Sequence, residues 1–126
     1  MDDGTTTRIS ENHYHMTTTT AQAANVLSHL EYYLQLVWPE LNVNVVSTTE
    51  QWAGAAIAGP NSRALLMKLF PNTDVSNEAL PFMGYKEADL FGIPAKIYRI
   101  SFSGELAYEV NVELSLIHIS EPTRPY

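Results

Sequence analysis

The sequence contains no cysteine. Disulfide staples, thiolate metal sites and a cysteine nucleophile are therefore excluded. Positive charge is scarce, with 7 Lys and Arg against 14 Asp and Glu and a formal net charge of −7. Nucleic-acid and anionic-membrane surfaces need clustered Lys and Arg, so neither partner is expected. No apolar run approaches the roughly 20 residues that span a bilayer. The acidic opening "MDDGTTTR" is no signal peptide, and together with the missing cysteines it points to the cytoplasm. The 6 glycines are scattered, and none builds a Walker or Rossmann phosphate loop. No Ser-His-Asp or Cys-His arrangement is recognisable.

What is present is enough for one domain with a real core: 126 residues, of which 45% are hydrophobic. Arg8 to Met16 reads as a short extended segment. Thr19 and Gln22 have the spacing of a capping box, and Ala24, Leu27, Leu30, Leu34 and Val37 recur on one helical face until Pro39 stops the helix. "LNVNVVS" alternates as a half-buried strand, and "WAGAAIAG" reads as a buried strand closed by Gly59-Pro60. A short helix from Asn61 to Phe70 is expected to bury Leu65, Leu66 and Leu69, and Pro71 ends it. After a loop, strands are expected at Lys86–Leu90 and Ile93–Ile100 around a turn at Phe91-Gly92, with a further strand in "SFSGELAYEVNV". Strands interleaved with two helices predict an α+β fold, a sandwich of the ferredoxin-like βαββαβ kind.

The candidate sites lie in few places. On a regular strand, Phe102, Leu106, Tyr108, Val110 and Val112 share one face, and Ser101, Ser103, Glu105, Ala107, Glu109 and Asn111 share the other. One reading is a core face backed by a solvated face. The other is a carboxylate set to clamp a ligand with adjacent N–H donors, because an ionised carboxylate accepts two parallel charge-assisted bonds. Glu105 and Glu109 would stand roughly 13 Å apart on such a strand, too far for an acid/base dyad. Asp2-Asp3 reads either as a frayed terminus or as a functional pair inside a longer protein. His13 and His15 share a strand face but have no third ligand nearby, so no metal site is expected.

Several blocks resemble one family. "DDGTTTR", "HMTTTTAQAA", "EQWAGAAIAGP", "NEALPFMGY" and "RISFSGELAYEVNV" are similar to the folate-binding, aminomethyltransferase-like region of the alpha subunits of heterotetrameric sarcosine oxidases. Broader relatives are the glycine cleavage T-proteins and the dimethylglycine dehydrogenases. The resemblance implies a T-protein-like folate-binding domain, partial over 1–113, with tetrahydrofolate as its ligand. It implies FAD, FMN and NAD elsewhere in a parent complex with beta, gamma and delta subunits, and oxidative demethylation of sarcosine to glycine with peroxide and 5,10-methylenetetrahydrofolate as products. Residue by residue, Glu109 matches the glutamate that holds the pterin in "TGEDGFE"-like motifs. Asp3 matches the second acid of a "DD" pair that assists methylene transfer, and so becomes the catalytic candidate. Phe82 and Phe102 stand where T-proteins carry tyrosines, keeping the ring and losing the hydroxyl. Tyr108 adds an aromatic beside Glu109, and Thr19 stands where T-proteins carry an asparagine.

Alternatives of other classes are an aminomethyltransferase of the glycine cleavage system and a non-catalytic folate-binding module of tRNA modification or iron–sulfur maintenance. "SFSGELAYE" in place of "TGYTGEDGFE" argues against the first, and the absent cysteine motif against the second. The string from Leu114 to Tyr126 has no relation to the family. It reads like a translated sequencing adapter, so a non-native, disordered tail on a fragment cut at both ends is expected. The fragment alone, without flavin or NAD sites, is expected to be inactive. Pro122 and Pro125 forbid a regular element in the tail. Deleting 114–126 is predicted to leave the thermal midpoint nearly unchanged, and a large drop in a melting experiment would show that the tail is packed.

Overall fold

Threonine and β-branched residues open the chain, and they build a hairpin rather than one extended segment. In a computed structural model, which describes residues 3–114, β1 (Thr5–Ser10) pairs antiparallel with β2 (His13–Thr17). The turn falls at Glu11-Asn12, and Thr5 and Thr17 face each other with their hydroxyls 2.8 Å apart. The predicted helix is present in three pieces: a 3-10 turn at Thr20–Gln22, α1 (Ala23–Tyr32) and a π-helical turn at Tyr33–Val37. Its inward side is Ala23, Val26, Leu27, Leu30, Tyr33 and Leu34, all half-buried. The capping box does not form. The Gln22 N–H donates to the Thr19 carbonyl at 3.1 Å, which closes a 3-10 turn, and the Gln22 side chain accepts from Asn25. The strand expected at "LNVNVVS" is not formed either, and Leu41, Val43, Val45 and Val46 are exposed. Alternation alone makes no strand without a partner for its N–H and C=O groups, and the Asn42 and Asn44 side chains compete for the backbone.

The chain divides into two compact units, Met1–Thr49 and Glu50–Tyr126. The second is built on a four-stranded antiparallel sheet of β3 (Trp52–Ala58), β4 (Tyr85–Leu90), β5 (Ile93–Tyr98) and β6 (Ala107–Glu113), in the order β3-β6-β5-β4. The α+β class holds, with this unit following a β-α-β-β-β path. β3 was expected in the core. It is an edge strand, and Gly54, Ala55, Ala56 and Ala58 are exposed. The turn at Phe91-Gly92 is as expected, with both residues at positive φ and the Gly92 N–H donating to the Asp89 carboxylate at 3.1 Å.

α2 (Ser62–Leu69) packs on one face of this sheet. Leu66 and Phe70, together with Val75 and Leu80 from the following loop, close over Ala95, Ile97, Tyr108 and Val110. Leu69 is half-buried against this cluster, whereas Leu65 points outward. The helix starts where the Gly59 carbonyl accepts from the Ser62 N–H, and the Ser62 hydroxyl donates to the Leu106 carbonyl at 3.3 Å. The Leu114 N–H donates to the Gln51 carbonyl at 2.9 Å, one bond past the end of the β3–β6 ladder and on the first residue of the expected tail. The rest of that tail lies outside the described residues.

Leu66 is wholly buried. Truncating such a leucine removes its transfer energy and leaves a cavity. Leu66→Ala is predicted to destabilise the second unit by about 2–5 kcal/mol in urea unfolding, and Leu65→Ala by no more than about 0.5 kcal/mol.

Candidate functional site

The stretch "SFSGELAYEVNV" is not one strand. Residues 101–106 are irregular, and β6 begins only at Ala107. Gly104 sits at φ +85, a conformation other residues adopt rarely, and the chain turns there before joining the sheet. The Ser103 hydroxyl donates to Glu105 at 2.6 Å, which fixes that carboxylate on the exposed loop. From Ala107 on, alternation holds. Tyr108 and Val110 enter the core under α2, while Glu109 and Asn111 point to the other face.

That second face carries two rows of side chains running across all four strands. One row is Ala56, Glu109, Tyr98 and Tyr85, and the other is Gly54, Asn111, Lys96 and Glu87. Burial peaks on the interior strands β6 and β5 and falls again at β4, where Tyr85 is half-buried and Glu87 exposed. Gly54 and Ala56 are exposed and Glu109 is half-buried, while Asn111 and Tyr98 are only 6% and 3% exposed. The Tyr85 and Tyr98 rings lie 5.2 Å apart, the Tyr85 hydroxyl donates to Glu87 at 2.7 Å, and the Lys96 ammonium sits 4.8 Å from the centre of the Trp52 ring. The face therefore has small residues on β3 beside Glu109, a carboxylate and an amide on β6, and a tyrosine pair on β5 and β4.

Burial pushes the Glu109 carboxyl above its ordinary value. Burial also pushes the Tyr98 hydroxyl up to about 12; the Asn111 side chain works against that rise, while the charges of Glu109 and Glu87 add to it. Burial, followed by the bond to Glu87, raises Tyr85 as well. A half-desolvated carboxylate of this kind gains from N–H donors that restore what water no longer supplies.

The predicted site residues are not all gathered here. Tyr108 is 1% exposed and lies on the core face, where its hydroxyl accepts from Arg63 Nε at 3.1 Å. Its expected place beside Glu109 is corrected by the alternation of β6. Phe102 is fully exposed on the irregular loop. Phe82 lines an open depression of about 330 Å³ with Arg99, Ser101, Gly104, Glu105 and Leu106. Asp3 belongs to the first unit, is exposed, and accepts the Gly4 N–H at 2.9 Å. His13 is exposed and His15 half-buried on β2, and Thr19 precedes the first helical turn. Among the described residues no group of three or more His, Asp or Glu is placed to hold a metal ion. The residues that sequence reading missed are Tyr98, Asn111 and Gly54. Asn111 shares the parity of Glu109 and could have been found from it. Tyr98 and Gly54 become its neighbours only through the strand register.

The whole of this face falls within a match to the GCVT N-terminal domain, which covers residues 1–117. The chain belongs to the GCVT N-terminal domain family. Its similarity to proteins named sarcosine oxidase subunit alpha is high: 53% identity over 113 residues with that of Rhizobium meliloti (strain 1021), and 52% over 112 residues with that of Corynebacterium sp. (strain P-1). Each match takes in 88% of this chain but only 11% and 12% of the respective relative, so the chain spans a small part of their length. Human mitochondrial sarcosine dehydrogenase is 31% identical over 99 residues, 79% of this chain and 10% of that protein. The strands β3 to β6 and both rows of the second face thus lie in a GCVT-family domain. No helix among the described residues is long and apolar enough to cross a membrane.

The raised carboxyl of Glu109 generates a pH prediction. An acid whose folded value exceeds its unfolded one binds more protons when folded, so its ionisation opposes folding. The penalty is absent below the ordinary value of 4.5 and grows as pH rises from there through the folded value. Glu109→Gln is therefore predicted to be more stable than the wild type at pH 7 and to lose that advantage at pH 4, as read by urea midpoints at the two pH values.

Proposed function

We propose that this chain is the tetrahydrofolate-binding portion of a sarcosine oxidase alpha subunit, with Glu109 as the group that holds the pterin. The observation that carries this reading is the half-buried Glu109 carboxylate in the middle of a sheet face floored by Gly54, Ala56 and Ala58. Small side chains leave room for a flat heterocycle to approach the backbone, and the carboxylate meets two neighbouring N–H donors on one edge of it. The similarity to alpha subunits of sarcosine oxidases, and to a sarcosine dehydrogenase, supports the choice of reaction over the glycine cleavage alternative.

In the parent enzyme the reaction is read as two separable steps. Sarcosine gives two electrons to a flavin bound elsewhere, and oxygen takes them to form hydrogen peroxide, leaving an imine. Tetrahydrofolate N5 then attacks the imine carbon, glycine leaves as the amine, and N10 closes the ring of 5,10-methylenetetrahydrofolate. The part assigned to this chain is the second step. Glu109 orients the pterin, and the exposed rings of Phe82 and Phe102 offer stacking surface; the part the resemblance gives Asp3, electrostatic help to methylene transfer, is kept in this proposal. FAD, FMN and NAD, and the beta, gamma and delta subunits, belong to the parent complex in this reading, with the cytoplasm as its place.

The test is Glu109→Ala in the intact oxidase, with saturating sarcosine and limiting folate. Loss of a bond to a charged group is worth roughly 1.5–3 kcal/mol, so folate affinity is predicted to fall about ten- to a hundred-fold. Peroxide output persists, the uncaptured imine hydrolyses to formaldehyde, and methylenetetrahydrofolate is lost. Unchanged methylenetetrahydrofolate output would remove Glu109 from the site, and a parallel loss of peroxide would make it a structural residue.

A further inference from the structure

Gly54 and Asn111 are direct cross-strand partners, two positions along from Ala56 and Glu109. A Cβ added to Gly54 would collide with Asn111 Oδ1, and it would stand 3.7 Å from Glu109 Oε1. Two acceptor oxygens, one charged and one neutral, thus converge on the single spot that a side chain at position 54 would fill. Gly54 is exposed, so this spot opens outward, whereas Asn111 is only 6% exposed. Glycine within a strand weakens it and typically marks a close approach by a ligand or another backbone. On the same side of β3, Ala56 and Ala58 beyond it are small as well, while Trp52 on its other flank lies under the Lys96 ammonium.

We propose that Asn111 is a second recognition residue of the Glu109 site, and that bare backbone at Gly54 forms the slot in which a ligand amino group meets both oxygens. The proposal rests on Glu109 being the pterin-holding carboxylate. The chemistry follows from counting hydrogens. The pterin edge offers one ring N3–H and a 2-amino group with two hydrogens. A carboxylate engaged side-on takes the N3–H and one amino hydrogen. The second amino hydrogen needs another acceptor, and an amide carbonyl oxygen beside Glu109 Oε1 supplies it. Asn111 thereby reads the presence of the 2-amino group rather than the ring in general. A site built to bond a ligand N–H rejects an analogue lacking it, because its own buried acceptor is left unpaired.

The test uses the intact oxidase and two probes, tetrahydrofolate and an analogue lacking the exocyclic 2-amino group, with dissociation constants measured by equilibrium titration. The preference is the ratio of the two constants within one variant, which cancels any uniform loss of binding-competent protein. In Asn111→Ala the preference for the 2-amino ligand is expected to fall about tenfold. Gly54→Ala, which fills the slot and displaces the amide, is expected to weaken tetrahydrofolate about tenfold and to lower the same preference. If Asn111→Ala does not assemble, Asn111→Ser serves the same comparison with a side chain too short to span the slot. A wild-type preference retained in the Asn111 variant overturns the inference. Glu109→Ala separates the two readings: if it abolishes tight binding while the Asn111 variant keeps its preference, this inference alone fails. If Glu109→Ala binds tetrahydrofolate as the wild type does, the placement of the pterin at Glu109 fails and the inference with it.

Discussion

The two-residue alternation of β6 governs everything else in the second unit. β6 is an interior strand, paired on both sides, so its register cannot slip without turning its core face outward. Tyr108 and Val110 are committed to α2 and the loop that follows it, and this commitment sends Glu109 and Asn111 to the opposite face. The core and the candidate site are therefore two sides of one constraint. Burying Tyr108 is what aims the carboxylate.

The site inherits its chemistry from its position in the sheet. At the edge, β3 brings small residues and access. In the interior, β5 brings Tyr98, whose burial pushes its hydroxyl up from 10.0 to about 12. Glu109 lies between these two environments, neither fully solvated nor sealed. Such a carboxylate keeps a use for donors from outside, and that separates it from Glu105, which is already satisfied by Ser103 on the loop.

Alternation and helical spacing made the helices, the β4–β5 hairpin and the parity of Glu109 legible in the sequence. What was not legible depended on partners. The Glu11-Asn12 turn lacks the glycine that marks many hairpins, so β1 and β2 read as one segment. The "LNVNVVS" pattern satisfied the rule for a strand without anything to pair with. Leu65 fell outside the core because α2 turns Leu66 and Leu69 toward the sheet, and spacing does not fix the helix's rotation to within one residue. Phe102 was assigned to β6 because alternation gives no warning that Gly104 takes a positive φ and ends the strand early. Family resemblance singled out Glu109, but the amide and the bare backbone next to it emerged only from the register between β3 and β6.

The loop between α2 and β4 is tied down through an amide, a few residues after the Asp74 carboxylate accepts the Ser76 N–H at 3.0 Å. Asn77 Oδ1 accepts from Arg63 on α2 at 2.5 Å and from Arg99 at 2.8 Å, and Arg99 reaches the Leu80 carbonyl at 3.2 Å as well. Guanidinium groups stay charged at any pH the protein meets, and an amide does not titrate at all. The clasp is thus neutral on its accepting side and constant in its charge. Burial raises the Glu109 carboxyl, while the bonds from Ser76 hold that of Asp74 below its ordinary value, so acidification discharges the site before it reaches the acid of this loop.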